Sequence, residues 1–142
     1  MENKYGEIIS KIEIEDIYLT SVQYKRFGTP DPVKYPEVRI SFTPDKVSYK
    51  QKENQLEVKQ KVLFILEELV NGEEKPHKLF ELKGEYILSY HLESKMDDEL
   101  FDLFKIRNIP VNLQPYIREL IQSSMARVGL PPFTLPVLKI KR

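Results

Sequence analysis

Along much of the chain, apolar residues recur at every second position, and near the start the parity slips. Ile12 and Ile14 share one parity, Ile17 and Leu19 take the other, and Val22 and Tyr24 return to the first. Alternation marks a strand with one face on a core and one in water. A slip in phase marks an inserted residue, so the pattern predicts one strand from Ile12 to Phe27, bulged or bent near Glu15–Asp16. A second, short strand is predicted where Val38, Ile40 and Phe42 alternate with Glu37, Arg39 and Ser41, bracketed by Pro36 and Pro44.

Two longer strands follow. Leu56, Val58, Val62, Phe64 and Leu66 lie opposite Glu57, Lys59 and Lys61. Leu82, Tyr86, Leu88, Tyr90 and Leu92 lie opposite Glu81, Lys83, Glu85 and Glu93. The stretch NGEEKP between them has turn chemistry and predicts an antiparallel hairpin. After Glu93 the period changes. Asp97 and Asp98 are placed to cap a short helix carrying Leu100, Phe101 and Phe104, which Pro110 ends. Asn112 is the expected cap of a longer helix with Pro115 in its first turn and Ile117, Leu120, Ile121, Met125 and Val128 on one stripe. Gly129, Pro131, Pro132 and Pro136 then forbid a regular continuation.

These elements set a problem of coverage. A strand of about 12 residues extends roughly 40 Å, whereas a helix of about 15 residues is roughly 22 Å long. One such helix and a short companion do not dry the inner face of a sheet with two long strands. A second copy of the chain, a ligand or a partner protein is expected to cover the rest.

Composition narrows the classes. The 142 residues suit a single domain spanning 1–142. Lysine and arginine total 22, as do aspartate and glutamate, and the two signs are interspersed, which gives no electrostatic case for nucleic acid. Without cysteine there is neither a disulfide framework nor a thiolate metal site. The longest apolar run, Val62 to Leu66, is too short to span a bilayer, and the charged start MENKYGEIISKIEIED lacks a signal-peptide core. The expectation is a cytoplasmic protein without membrane insertion. His77 and His91 have no acid or serine at catalytic spacing, Ser123 and Ser124 sit inside a helix, and the glycines are scattered singly. No enzyme activity, cofactor or metal is expected.

The strongest familiar stretch is PYIRELIQSSM, Pro115 to Met125, followed by Gly129, Pro131 and Pro136. It resembles the main helix and proline-containing exit of SecB, the bacterial export-chaperone family. IEDIYLTSV (Ile14 to Val22) resembles that family's first strand, and PEVRISF (Pro36 to Phe42) its second. The order of elements is similar over most of the chain. The resemblance implies an α+β fold: a four-stranded antiparallel Greek-key sheet with one long C-terminal helix, here without the family's second helix and acidic tail. It implies a homo-oligomer, a tetramer built as a dimer of dimers, acting as an ATP-independent holdase that wraps unfolded clients along apolar grooves. SecB-like proteins also serve as dedicated chaperones of an antitoxin, the alternative partner.

The candidate client-binding residues are Leu120, Met125 and Val128 on the helix, and Leu130, Phe133, Leu135, Val137 and Leu138 in the extended segment. The helical three lie on an apolar stripe, which is more often core or oligomer packing, and simple packing on the sheet edge is the competing account of the other five. In the family the translocation motor SecA docks on acidic positions of the outer face. Ser21 and Lys25 stand at two of those positions here, while Glu81 matches and Leu79 is the neighbouring candidate contact. Motor docking is therefore in question for this chain, and a small-ligand pocket between sheet and helix is the remaining reading.

Overall fold

The computed structural model describes residues 2–70 and 75–131, with side chains from Tyr5 onward. Helix α1 (Glu2–Ile9) is followed by four strands, β1 (Glu13–Arg26), β2 (Val38–Lys52), β3 (Gln55–Glu68) and β4 (His77–His91), then α2 (Asp98–Arg107) and α3 (Ile109–Arg127). The strands form one antiparallel sheet in the order β1-β4-β3-β2. Three hairpin-neighbours with the first strand returned beside the last make the Greek key that the resemblance implied.

Both phase slips in the first strand are real. Pairing of β1 with β4 shifts between Ile14 and Asp16 and again between Leu19 and Ser21. The alternation in β3 and β4 also holds: Leu56, Val58, Val62, Phe64 and Leu66 are buried on the same face as Leu82, Tyr86, Leu88 and Tyr90.

Three expectations need correction. The second strand does not stop at Pro44 but runs on to Lys52, with a bulge between Pro44 and Val47. β2 is an edge strand, where a missing N–H is tolerated. The bulge is held from the inner face by buried Gln60, whose amide donates to the carbonyls of Lys61 (2.8 Å) and Asp45 (3.4 Å). The main helix begins at Ile109, with Asn108 at its N-cap position but making no side-chain capping bond, rather than at Asn112. Pro110 lies in its first turn, where the helix needs no N–H, and Pro115 is inside it. The short helix ends at Arg107, before that proline, and is capped by Asp97, whose carboxylate accepts from the Leu100 N–H at 2.8 Å. Finally, α1 was not foreseen. Its Tyr5 and Ile8 are buried, and the Tyr5 hydroxyl donates to the Asn108 side chain at the corner between α2 and α3.

The longer helix changes the coverage. The 19 residues of α3 reach roughly 28 Å, and with α2 they dry the inner faces of β3 and β4. What stays open lies along β1 and the helix flanks: Ile14 and Val22, on the inner face by register, and Val111 and Tyr116 on α3 are exposed.

Candidate functional site

The stretch that the sequence singled out, the end of α3 and its exit, is built on two anchors. Along the sheet, tyrosines of β4 reach up to the helix. The Tyr90 hydroxyl donates to Asn112 Oδ1 at 2.9 Å, and that of Tyr86 to the Tyr116 carbonyl at 3.2 Å. Further down, Gly84 lets the helix approach: a Cβ there would meet Val62 at 3.4 Å and Leu120 at 3.7 Å. These contacts run in reverse order along the two elements, so α3 lies antiparallel over β4. On the neighbouring edge Tyr49 stacks on Phe101 with ring centres 4.2 Å apart and donates to Asp98 Oδ1 at 2.6 Å, pinning α2.

The second anchor is the helix end. The Gly129 N–H bonds the Ala126 carbonyl at 3.1 Å and the Leu130 N–H bonds the Met125 carbonyl at 3.0 Å. With Gly129 at φ 75° this is a Schellman cap, and its usual apolar partner is present as buried Leu130. Arg26, on the inner face of β1, completes it. Its Nη1 donates to the Val128 carbonyl at 2.8 Å, while Nε holds the Gly28 carbonyl at 2.9 Å. A guanidinium at a helix C-terminus also meets the negative end of the helix dipole. One residue upstream, the neighbouring Tyr24 hydroxyl favours the charged Arg127 guanidinium. Strand β1 thereby fixes the direction in which the chain leaves α3.

The candidate residues fall into three groups. Leu120, Met125 and Leu130 are buried in the chain's own core, and Val128 is half-buried against it. Phe133, Leu135, Val137 and Leu138 lie outside the described residues. Leu79 is buried with its carbonyl bonded by the Phe27 N–H at 2.8 Å, and Glu81 is held by Lys78 at 3.4 Å. Arg26 was missed, although its parity with Tyr24 is legible; its partner is 102 residues away. Among the described residues no group of acids and histidines is placed to hold a metal. No described helix is long and apolar enough to cross a membrane.

The tyrosine anchors make the helix layer sensitive to alkali. Burial, with the Glu119 charge second, pushes the Tyr86 hydroxyl up from 10.0 to about 12. Burial, then the Asp98 hydrogen bond and charge, takes Tyr49 to about 12. Burial alone pushes Tyr90 higher still. Below pH 10 both folded and unfolded chains keep these protons and the stabilisation is complete. As pH rises from 10 to 12 the unfolded chain loses them first, so stability falls. Urea midpoints are expected to be flat from pH 8 to 9.5 and to drop above 10, with a shallower drop in Tyr86→Phe. Equal slopes for the two proteins would deny Tyr86 this role.

No protein-family model matches the chain, and no curated protein does. Among solved structures, the chain is similar to the Mycobacterium tuberculosis Rv1957 SecB-like chaperone in complex with a ChAD peptide from the Rv1956 HigA1 antitoxin. The TM-score is 0.78 at 17% identity, covering 96% of this chain and 97% of that one. A Streptococcus agalactiae protein of unknown function matches at TM-score 0.47 and 14% identity, over 89% of this chain and 97% of that one. The first likeness shows that the fold is SecB-like.

Proposed function

We propose that this SecB-like chain is an ATP-independent holdase that binds unfolded or extended polypeptide, with no chemistry of its own. The observation that carries the reading is the fold match to a SecB-like chaperone over 96% of the chain. The site we assign is the end of α3 and its exit: Val128 at the surface, Leu120, Met125 and Leu130 as the packed floor beneath, and Phe133, Leu135, Val137 and Leu138 as the apolar run beyond. Apolar contacts without directional bonds hold many sequences without reading any one of them. The exposed Ile14, Val22, Val111 and Tyr116 suit a homo-oligomer, a tetramer in this proposal, working in the cytoplasm.

A second reading is a chaperone dedicated to one partner. It is favoured by one observation: the similar Rv1957 structure holds a peptide from an antitoxin. Contact with the motor SecA is left out of the proposal, because the buried Leu79 and the ion-paired Glu81 present little to a motor.

The test is suppression of aggregation. At stoichiometric amounts and without nucleotide, the protein is expected to slow aggregation of several unrelated unfolded proteins, and light scattering of the same samples to give a mass above one chain. Protection of a single partner would select the dedicated reading. No protection, together with a one-chain mass, would remove both.

A further inference from the structure

The outer face of the sheet, turned away from α3, carries a second pattern that the chaperone reading does not use. Pairing sets three successive rows across β1, β4 and β3: Lys25–Glu81–Ile65, then Gln23–Lys83–Leu63, then Ser21–Glu85–Lys61. Lys25, Lys83 and Lys61 therefore stand on one diagonal, one strand and one row apart at each step. Diagonal neighbours of this kind are about 7–8 Å apart.

The carboxylates between them are engaged elsewhere. Glu81 is bridged by Lys78 at 3.4 Å and Glu85 by Lys59 at 3.8 Å. Among the described residues Lys61 and Lys83 have no carboxylate within ion-pair distance, and the Lys25 ammonium lies 5.3 Å from the Phe27 ring. Two open depressions, of about 460 and 520 Å³, adjoin along the diagonal and share Gln23 and Lys83 in their walls. Half-buried Leu63 supplies apolar floor, and exposed Phe27 stands at one end. With Glu81 and Glu85 held by Lys78 and Lys59, the diagonal leaves three lysines against one carboxylate, Asp45, in the wall beside Lys61.

Spacing identifies the occupant. In an extended peptide, side chains on one side recur every second residue, about 6.6–6.8 Å apart, which matches the lysine diagonal. A helix puts its same-face residues on a different repeat. We propose that this diagonal docks an acidic segment of a partner protein in extended form, with carboxylates at alternate positions meeting Lys25, Lys83 and Lys61 in turn. The ammoniums are exposed, so the attraction is screened by salt and modest in strength.

The probe is a dye-labelled 12-residue peptide alternating glutamate and threonine, followed by fluorescence anisotropy. It is expected to bind the intact protein at low ionic strength and to weaken at least tenfold in the Lys25→Gln/Lys61→Gln/Lys83→Gln triple variant, whose thermal melt stays at the wild-type value. A peptide of the same composition with its glutamates in one block is expected to bind several-fold more weakly. Three results overturn the proposal: no binding by the intact protein, unchanged binding by the triple variant, or equal binding of an RNA oligonucleotide of the same charge. Aggregation suppression by the triple variant, run in parallel, is expected to be unchanged, which separates this face from the client site.

Discussion

Gly129→Val is expected to lower the unfolding free energy by about 2–4 kcal/mol, the largest effect of any single change outside the core. The position is held at φ 75°, a conformation that costs a residue with a Cβ about 1–2 kcal/mol, and a branched one more. The added Cβ would also lie 3.2 Å from Arg26 Nη1. A guanidinium can swing aside, but in doing so it gives up the Val128 carbonyl, and a hydrogen bond to a charged group is worth about 1.5–3 kcal/mol. The two losses share one residue, so they are not independent. In an Arg26→Met background the same glycine substitution should cost less. Urea denaturation of the four proteins of this cycle checks it. Additive effects would mean that glycine and arginine act separately; a loss below 1 kcal/mol for Gly129→Val would deny the cap any importance.

The helix stop was legible in the sequence because glycine at the end of an apolar stripe has a local cause. The arginine that completes it was not, because nothing local to Tyr24–Arg26 points to a carbonyl at Val128. The same division runs through the rest of the fold. Ile14, Ile17, Leu19 and Val22 carry both phase slips of β1 in consecutive residues, yet the pattern predicted one bulge, near Glu15–Asp16, and the second, between Leu19 and Ser21, came from the pairing. The bulge in β2 was hidden, because Pro44 read as a terminator unless β2 was known to be an edge and Gln60 known to face its loosened carbonyls. The start of α3 was misplaced for a related reason: Pro110 closes one helix and opens another with equal propriety, and only Asn108, shared as cap by both, decides between them. Tyr5 and Ile8 have helical spacing, but Gly6 between them lowers any propensity argument, and their burial depends on the distant corner at Asn108.

The structure also sharpens which residues can report on client binding. Leu120 and Met125 carry the helix onto the sheet, with Leu120 over Gly84, so replacing either by serine removes core packing and lowers stability by about 2–5 kcal/mol whatever the site does. They are poor probes of the chaperone reading. Phe133 and Leu135 are better ones. They follow Pro131 and Pro132 and precede Pro136, in a stretch whose sequence forbids both a helix interior and a central strand, yet they are large and apolar. Phe133→Ser with Leu135→Ser is therefore expected to leave the melting temperature and the light-scattering mass near wild type. A client that covers each side chain only partly would lose about half of the roughly 1.5–3 kcal/mol available per residue, which is about tenfold or more in affinity for the pair. Anisotropy of a labelled unfolded client is the readout. Unchanged affinity would place the site elsewhere on the molecule, whereas a lower melting temperature with lost affinity would show these side chains to be packing of the fold rather than a surface for clients.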